Sequence, residues 1–260
     1  MMKKRTAPVI RAMKGGEKIV CITAYDLASA RLCEEAEADL VLVGDSLGNV
    51  VLGHDSTLPV TMDDMIHHVR AVRRAIKLPL LVADMPFGSY ETSEADAVRN
   101  AVALMKVGAE AVKLEGMHLG AIEAILRAGI PVMGHLGFTP QHVHEFGGHK
   151  VQAKGDAADA LATNANALAD VGVFSIVLEL VPRESARRVT EACPVPTVGI
   201  GAGPDCDGQI QVFHDIVGLT DKEYRHAKRY VDGYGLFREG ISQYREDVKS
   251  GRFPEERNSF

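Results

Sequence analysis

Residues 39–46 read DLVLVGDS, in which four consecutive apolar residues are followed by glycine and then by Asp45 and Ser46. A strand that is buried on both faces has this nearly continuous apolar composition, as in a parallel sheet that helices cover. Short runs of this kind, rich in Val, Ile and Leu, occur eight times along the chain. They occupy residues 18–26, 39–46, 78–86, 109–116, 130–137, 174–180, 196–202 and 209–219.

Most segments between these runs have the composition of helices with recognisable ends. Thr61 and Ser93 are candidate N-cap residues, and Gly108, Gly129 and Gly172 are candidate stop signals. The predicted helices span residues 27–37, 62–76, 94–108, 118–128, 156–171 and a shorter piece from Pro182 to Ala192. Alternating strands and helices predict an α/β fold, a (β/α)₈ TIM barrel rather than an open doubly wound sheet. The first strand also lacks the following G-x-G-x-x-G pattern of a dinucleotide-binding fold.

The composition is that of a globular protein, with 46% hydrophobic and 25% charged residues and a net charge of −6. This mild negative charge argues against a general nucleic-acid binder. The basic start of the chain is not followed by the apolar stretch of a secretory signal, and no long apolar run resembles a membrane span. We therefore expect a cytoplasmic protein with no membrane or nucleic-acid partner. The four cysteines form no C-x-x-C pair, which predicts reduced, mostly buried thiols.

The chain reads as one barrel domain over residues 1–260, with residues 221–260 as a C-terminal helical extension. This extension holds seven of the 14 aromatic residues in an otherwise charged segment. Aromatic side chains at roughly helical spacing indicate extra helices that pack on something. The barrel itself and a neighbouring subunit are both open as the packing partner, since aromatic residues are enriched at interfaces.

Ionisable residues stand at the ends of six predicted strands, where the active site of such a barrel lies. They are Asp45 with Ser46, Asp84, Lys113 with Glu115, His135, Glu179, and His214 with Asp215. An Asp or Ser after a strand can also cap the next helix, so each position alone is ambiguous. Buried charges are costly unless they are paired or bind a metal, and together these residues predict one site.

Lys113 and Glu115 are two residues apart on a predicted strand, so both side chains point to the same face. Asp45 and Asp84 would bring two further carboxylates to the mouth of the barrel. Oxygen ligands of this kind suit Mg²⁺ or Mn²⁺ rather than Zn²⁺. A plain buried ion pair between Lys113 and Glu115 is the alternative. The histidine-containing segment 138–150 reads as a glycine-containing loop, not a zinc site, and is our candidate for a lid.

At these strand ends the sequence resembles the ketopantoate hydroxymethyltransferase family over nearly its whole length. The matching motifs are 23-TAYD-26, 43-VGDSLG-48, 60-VTMDDMIHH-68, 82-VADMPFGSY-90, 112-VKLEG-116, 134-GHLGFTPQ-141, 177-VLELVP-182, 198-VGIGAG-203 and 211-QVFHDIVGL-219. Several long motifs in the same order are far more specific than any single one.

The resemblance implies a barrel of the phosphoenolpyruvate/pyruvate type that uses Mg²⁺ and 5,10-methylenetetrahydrofolate. The implied reaction adds a hydroxymethyl group to 3-methyl-2-oxobutanoate and yields 2-dehydropantoate, the first step of pantothenate biosynthesis. The resemblance also implies a homo-oligomer, a decamer of two stacked pentameric rings.

Carried over by motif, the resemblance also implies a role for each residue of the predicted site. The metal would be held, directly or through water, by Asp45, Asp84 and Glu115. The 2-oxo acid would contact Asp45, Ser46, Asp84 and Lys113. Glu179 would be the general base that removes the C3 proton. Our hypothesis for His135, which we add to the substrate-binding set, is that it assists proton transfer or orients the substrate.

Three alternatives remain at the level of sequence. A Mg²⁺-dependent C–C lyase of 2-oxo or 2-hydroxy acids would use the same carboxylates. A metal-free aldolase would use Lys113 as a Schiff-base nucleophile, although Glu115 is expected to keep that lysine protonated. A non-catalytic barrel, either a scaffold or a sensor, would have no need of a base such as Glu179.

Overall fold

The computed structural model describes residues 3–153, 155, 157–220 and 222–260. Residues 156 and 221, at which a predicted helix and the predicted C-terminal extension begin, lie outside the described residues. None of the described helices is both long enough and apolar enough to cross a membrane. The chain divides into two compact units, Met1–Val212 and Phe213–Phe260.

Within the described residues, the first unit is a closed barrel of eight parallel strands that follow one another in chain order, with the last paired to the first. The strands are β1 (Ile19–Thr23), β2 (Leu40–Val43), β3 (Leu80–Asp84), β4 (Ala111–Lys113), β5 (Val132–Gly137), β6 (Ser175–Glu179), β7 (Thr197–Ile200) and β8 (Gly208–Gln211). Each lies within or starts beside one of the eight apolar runs. The predicted (β/α)₈ barrel is therefore confirmed, because the runs are buried by the barrel interior on one side and by helices on the other.

The helices of the first unit lie largely where the sequence predicts them. They are α1 (Ala7–Ala12), α2 (Leu27–Glu35), α3 (Leu47–Val50), α4 (Met62–Arg73), α5 (Glu94–Lys106), α6 (Leu119–Arg127), α7 (Val143–Phe146), α8 (Ala157–Val171) and α9 (Arg183–Ala192). Thr61 and Ser93 accept hydrogen bonds from the backbone of Asp64 and Asp96, so both predicted N-caps are confirmed. All four cysteines are free and buried, as predicted.

The N-terminal segment carries α1, a helix that the sequence analysis did not predict. Ala7 and Ile10 belong to the same buried apolar cluster as residues of the barrel strands. Beside this helix, Lys4, Arg5 and Lys14 form ion pairs with acidic residues that stand just before β4, β2 and β8, namely Glu110, Asp39 and Asp207. The segment therefore covers the amino-terminal end of the barrel, opposite the end that carries the predicted site.

The eighth apolar run is only partly a strand, which corrects the prediction for residues 209–219. Strand β8 ends at Gln211, and Phe213–Ile216 form a short helix, α10, in the second unit. His214 and Asp215 therefore lie on a helix and not at the end of a barrel strand. The apolar composition of the run could not separate the two structures, because a short buried helix and a buried strand look alike by periodicity.

The second unit also contains α11, Gly233–Ser250, which is the main helix of the predicted C-terminal extension. Asp232 caps its first turn, and Gly251 ends it in the left-handed conformation. Exposed apolar side chains follow one stripe along this helix: Tyr234, Phe237, Ile241, Tyr244 and Val248. The boundary between the units falls eight residues before the predicted start of the extension. The packing partner of the extension stays a prediction.

Candidate active site

The carboxyl ends of β2 to β6 bring together the ionisable residues that the sequence analysis assigned to one site. Asp84, Lys113 and Glu179 are the last residues of β3, β4 and β6, and His135 lies within β5. Asp45 and Glu115 lie two residues beyond β2 and β4. Five of these six residues are buried, whereas the Glu179 side chain keeps 18% exposure and faces the mouth.

Lys113 lies among carboxylates, as its position two residues before Glu115 predicts. Its Nζ atom is 2.6 Å from Asp84 Oδ1 and 3.9 Å from Glu115 Oε1. Its nearer ion-pair partner is thus Asp84, on the adjacent strand, rather than Glu115. Burial lowers the pKa of Lys113, but the surrounding carboxylates outweigh burial and raise it above its ordinary value. Lys113 is therefore a permanent ammonium group at neutral pH.

His135 lies between two carboxylates from neighbouring strands. Its Nδ1 atom is 3.4 Å from Glu115 Oε1, and its Nε2 atom is 3.3 Å from Glu179 Oε2. Burial and the nearby ammonium of Lys113 lower the pKa of His135, but the interactions with Glu115 and Glu179 outweigh them and raise it to about 9. At neutral pH the imidazole is therefore a cation, and its Nε2 atom lies beside the carboxyl group of Glu179.

Asp45 is held by hydrogen bonds from both sides. Its backbone N–H donates to Asp84 Oδ2 at 3.0 Å, and Gln141 Nε2 donates to its Oδ2 atom at 2.9 Å. Burial raises the pKa of Asp45 well above its ordinary value, and repulsion from Asp84 and Glu115 raises it further. Asp45 therefore takes up a proton more readily than an exposed carboxylate does.

Gln141 and Tyr90 connect three parts of the site, and the sequence analysis did not identify either of them. The Tyr90 hydroxyl donates to Gln141 Oε1 at 2.5 Å, which turns the amide N–H₂ of Gln141 toward Asp45 and the Met85 carbonyl. The backbone N–H of Gln141 donates to Glu115 Oε2 at 3.0 Å. Tyr90 is the last residue of the motif 82-VADMPFGSY-90, and Gln141 is the last residue of 134-GHLGFTPQ-141. Their presence in these motifs is the sequence signal that could have identified them.

The segment 138–150 is more ordered than the predicted loop. Pro140–His142 form a 3₁₀ turn, and Val143–Phe146 form α7, which ends at Gly147 with a positive φ of 65°. Proline fits the first position of a helical turn, and glycine adopts the left-handed conformation without strain. This turn places Gln141 within the site.

Ser46 faces the mouth from the N-terminus of α3, beside a tyrosine of the first strand's loop. The hydroxyls of Ser46 and Tyr25 are 2.7 Å apart, and His68 Nδ1 is 2.6 Å from the Tyr25 carbonyl oxygen. Tyr25 of the TAYD motif therefore contacts Ser46, and His68 of helix α4 in turn contacts Tyr25.

The donor set suits a divalent cation in charge and in kind, although it forms no complete metal site by itself. The carboxyl groups of Asp45, Asp84, Glu115 and Glu179 outnumber the two cationic side chains, Lys113 and His135. Burial raises the pKa of both Asp45 and Asp84, as expected for crowded carboxyl groups that lack a cation between them. In the described part of the chain, no three His, Cys, Asp or Glu side chains are grouped as a metal site. Mg²⁺ commonly binds one or two protein carboxylates and completes its coordination shell with water and substrate. A cluster of carboxyl groups that forms no complete metal site is consistent with this mode of binding.

The comparison with known proteins assigns the chain to a family. The family model described as ketopantoate hydroxymethyltransferase matches residues 4–256. The chain belongs to the ketopantoate hydroxymethyltransferase family. A 3-methyl-2-oxobutanoate hydroxymethyltransferase of Aeropyrum pernix is 56% identical, with 97% of this chain and 93% of that protein covered. The protein of the same name from Moorella thermoacetica is 52% identical over 98% of this chain and 97% of its own length. As a member of this family, the chain is an enzyme of the transferase class.

Solved structures similar to this ketopantoate hydroxymethyltransferase family member show the same barrel. A phosphonopyruvate hydrolase, solved with oxalate and Mg²⁺, has a TM-score of 0.66 at 14% identity and covers 98% of this chain and 93% of its own. A 2,3-dimethylmalate lyase, a member of the PEP mutase/isocitrate lyase superfamily, has a TM-score of 0.63 at 17% identity, with 93% and 88% covered. These similarities confirm the predicted (β/α)₈ barrel fold.

Proposed function

We propose that this enzyme transfers a hydroxymethyl group from 5,10-methylenetetrahydrofolate to 3-methyl-2-oxobutanoate. The products are 2-dehydropantoate and tetrahydrofolate. The observation that carries the proposal is the carboxylate of Glu179, which faces the mouth of the barrel 3.3 Å from the imidazolium of His135. It supports removal of a proton from the substrate, because a general base must be accessible and within reach of the proton that it removes.

Glu179 takes the proton from C3 of the 2-oxo acid, which leaves an enolate. As the enolate carbon forms a bond to the methylene carbon of the folate, one of the two bonds from that carbon to the folate nitrogens breaks, and the released nitrogen takes up a proton. Water then supplies the hydroxyl group as the second carbon–nitrogen bond breaks, and the proton from water goes to the second nitrogen, which releases tetrahydrofolate. Lys113, held as an ammonium by Asp84, supplies positive charge for the substrate carboxylate and the developing enolate oxygen. Ser46 offers a hydroxyl to the same substrate.

We propose Asp45, Asp84 and Glu115 as the residues that would hold Mg²⁺, directly or through water. When bound, the cation supplies Lewis-acid stabilisation of negative charge on the 2-oxo acid, and Mn²⁺ has similar ligand preferences. Gln141 orients Asp45 through its amide group, and Lys113 orients Asp84.

The measurement that tests this proposal is deuterium exchange at C3 of 3-methyl-2-oxobutanoate, followed by proton NMR with Mg²⁺ and with EDTA. We expect exchange that requires the metal and that falls about 10²- to 10⁴-fold in Glu179→Gln, the usual contribution of a general base. Glu123→Gln changes an exposed glutamate of α6 and serves as the matched control. Exchange that persists in Glu179→Gln would assign the proton transfer to another group.

The Schiff-base alternative is disfavoured by the surroundings of Lys113. A nucleophilic lysine must lose its proton, whereas Asp84 and Glu115 raise the pKa of this one. Borohydride treatment in the presence of substrate is expected to trap no covalent adduct, and a trapped adduct on Lys113 would revive that mechanism. Family membership likewise favours the transferase over the lyase and over a non-catalytic barrel.

We also propose that the enzyme is a homo-oligomer, with the decamer implied by the resemblance as the expected assembly. The exposed stripe of α11 supports a subunit contact, since its side chains are 45% to 69% exposed in the single chain. The cytoplasmic location stays a prediction.

A further inference from the structure

A cavity of about 380 Å³ lies beside the candidate active site, outside the ring of strands. Its walls come from the segments that follow β4 and β5, from α7 and from one face of α8. Ligand sites in proteins commonly have volumes of 300 to 1,000 Å³ and combine apolar walls with a few polar groups. None of the residues to which we assign metal, substrate or base roles lines this cavity.

The inner wall of the cavity is next to the reacting groups. Gly116 and Gly137 both line it, the first directly after Glu115 and the second in register with Glu179 on the neighbouring strand. A Cβ atom at Gly137 would lie 2.3 Å from the Glu179 carbonyl oxygen, so no side chain fits at this position. Backbone atoms therefore form this part of the wall. The cavity therefore lies on the side of the barrel mouth that holds the base.

The cavity offers hydrogen-bonding groups that no described residue of the chain uses. In the part of the chain that the structure describes, neither the Asn164 amide nor the Glu145 carboxylate has a hydrogen-bond partner. The rings of His118 and His142 are nearly parallel, with an interplanar angle of 21°, and add flat surfaces. Leu161 contributes an apolar wall. A flat heteroaromatic ring with amide and amino groups along one edge matches this combination.

We infer that this cavity binds the pterin ring of the folate donor. The inference rests on the proposed function, in which C3 of the oxo acid lies against Glu179 and the one-carbon unit has to reach C3. A pterin in this cavity approaches C3 from the side of β5 and β6, where Glu179 stands. Asn164 and Glu145 bind the amide and amino edge of the ring.

The first test fills the cavity from α8. Ala160 lines the cavity with an exposed side chain, so Ala160→Phe occupies the space without disturbing the buried face of the helix. We expect the KM for 5,10-methylenetetrahydrofolate to rise at least tenfold, while Mg²⁺-dependent deuterium exchange at C3 proceeds. Thr163→Phe places the same side chain at an exposed position of α8 outside the cavity and is expected to change neither.

The second test removes one polar group and measures binding directly. Asn164→Leu keeps the size of the side chain and loses its hydrogen bonds, so the affinity for 5-formyltetrahydrofolate, measured by calorimetry, is expected to fall about tenfold. Asn164→Gln retains an amide and is expected to recover part of that loss. Unchanged affinity in both Asn164→Leu and Ala160→Phe would place the pterin elsewhere.

The two proposals fail in different ways. If exchange and donor affinity fall together in these variants, the cavity belongs to the oxo-acid site, and the inference is wrong. If the wild-type enzyme shows neither exchange nor formation of 2-dehydropantoate, with or without tetrahydrofolate, the proposed function itself is wrong.

Discussion

The environment of His135 bears directly on the proposed role of Glu179 as the general base. A histidine between two carboxylates gains a proton, and its raised pKa of about 9 makes it a cation over the neutral range. It therefore cannot accept a proton from the substrate while it is in this state. We propose that its contribution is to hold the Glu179 side chain in place, which differs from both parts of our hypothesis, proton transfer and orientation of the substrate.

We predict that His135→Ala lowers the rate of C3 exchange by about tenfold or more, because Glu179 loses its cationic neighbour. The measurement is the exchange rate by proton NMR at saturating substrate. His149→Ala, which alters an exposed histidine, is the control. A normal rate in His135→Ala would remove His135 from the mechanism.

Tyr90 acts through Gln141 and is a positioning residue. Its buried hydroxyl accepts from the Glu115 backbone N–H at 3.3 Å and donates to Gln141 Oε1. We predict that Tyr90→Phe lowers the free energy of unfolding by about 1–3 kcal/mol, since it leaves both partners without this bond. It should also raise the Mg²⁺ concentration that half-activates exchange, because Gln141 orients Asp45.

Urea unfolding and a Mg²⁺ titration measure the two effects of Tyr90→Phe, with the exposed Tyr230→Phe as control. A loss of stability with no change in the Mg²⁺ titration would show that the Tyr90–Gln141 pair is structural only.

At the scale of elements, the N-terminal segment is joined to the base of the barrel by buried acidic residues. Asp207 accepts hydrogen bonds from Lys14 Nζ at 2.9 Å, from Gly15 N at 2.9 Å and from Thr197 N at 2.8 Å. It thereby connects the residues after α1 with the starts of β7 and β8. Burial raises the pKa of Asp207, but these bonds outweigh burial and lower it.

We predict that Asp207→Asn costs about 2–4 kcal/mol of the free energy of unfolding at pH 7, because a buried ion pair loses one partner. The folded-state pKa is lower than the unfolded value of about 3.9, so the stabilisation is complete above that value. It is lost as the pH falls through the folded-state pKa. The difference between wild type and Asp207→Asn should therefore shrink below about pH 4.

Urea unfolding at a series of pH values measures this difference, and Asp170→Asn at an exposed position is the control. A difference that stays constant down to pH 2 would mean that the carboxylate charge of Asp207 does not stabilise the fold.

At the scale of the whole molecule, the second unit carries an apolar surface that is exposed to solvent in the single chain. Tyr234, Phe237, Ile241, Tyr244 and Val248 recur at three- and four-residue intervals, so they form one stripe along α11. An exposed stripe of this kind marks a contact surface. In the proposed oligomer, its partner would be another copy of the chain.

We predict that Ile241→Lys lowers the oligomeric state, because a charge replaces an apolar side chain within the contact. Size-exclusion chromatography with light scattering measures the mass. Gln243→Lys makes the same change in charge on the same helix, off the stripe, and should keep the wild-type mass. If both variants keep the wild-type mass, the stripe is not the subunit contact.

Part of this protein follows from its sequence because the signals are local. A strand buried on both faces reads as an apolar run whatever its neighbours are, and the caps at Thr61 and Ser93 depend only on residues within one turn. The order of strands and helices then leads to the barrel, since right-handed connections leave few other arrangements. The barrel in turn places Asp45, Asp84, Lys113 and Glu179 at one end.

Tertiary structure alone decided the contacts between residues that are distant in the chain. Tyr90 and Gln141 are 51 residues apart, and Lys14 and Asp207 are 193 residues apart, so no local pattern pairs them. The end of β8 at Gln211 is likewise decided by barrel closure against β1, because the apolar run continues beyond it. The charge of His135 depends on which carboxylates surround it, and burial makes that difference large. Sequence determined the barrel and the kinds of groups at its mouth, whereas folding determined which groups meet and in what charge state.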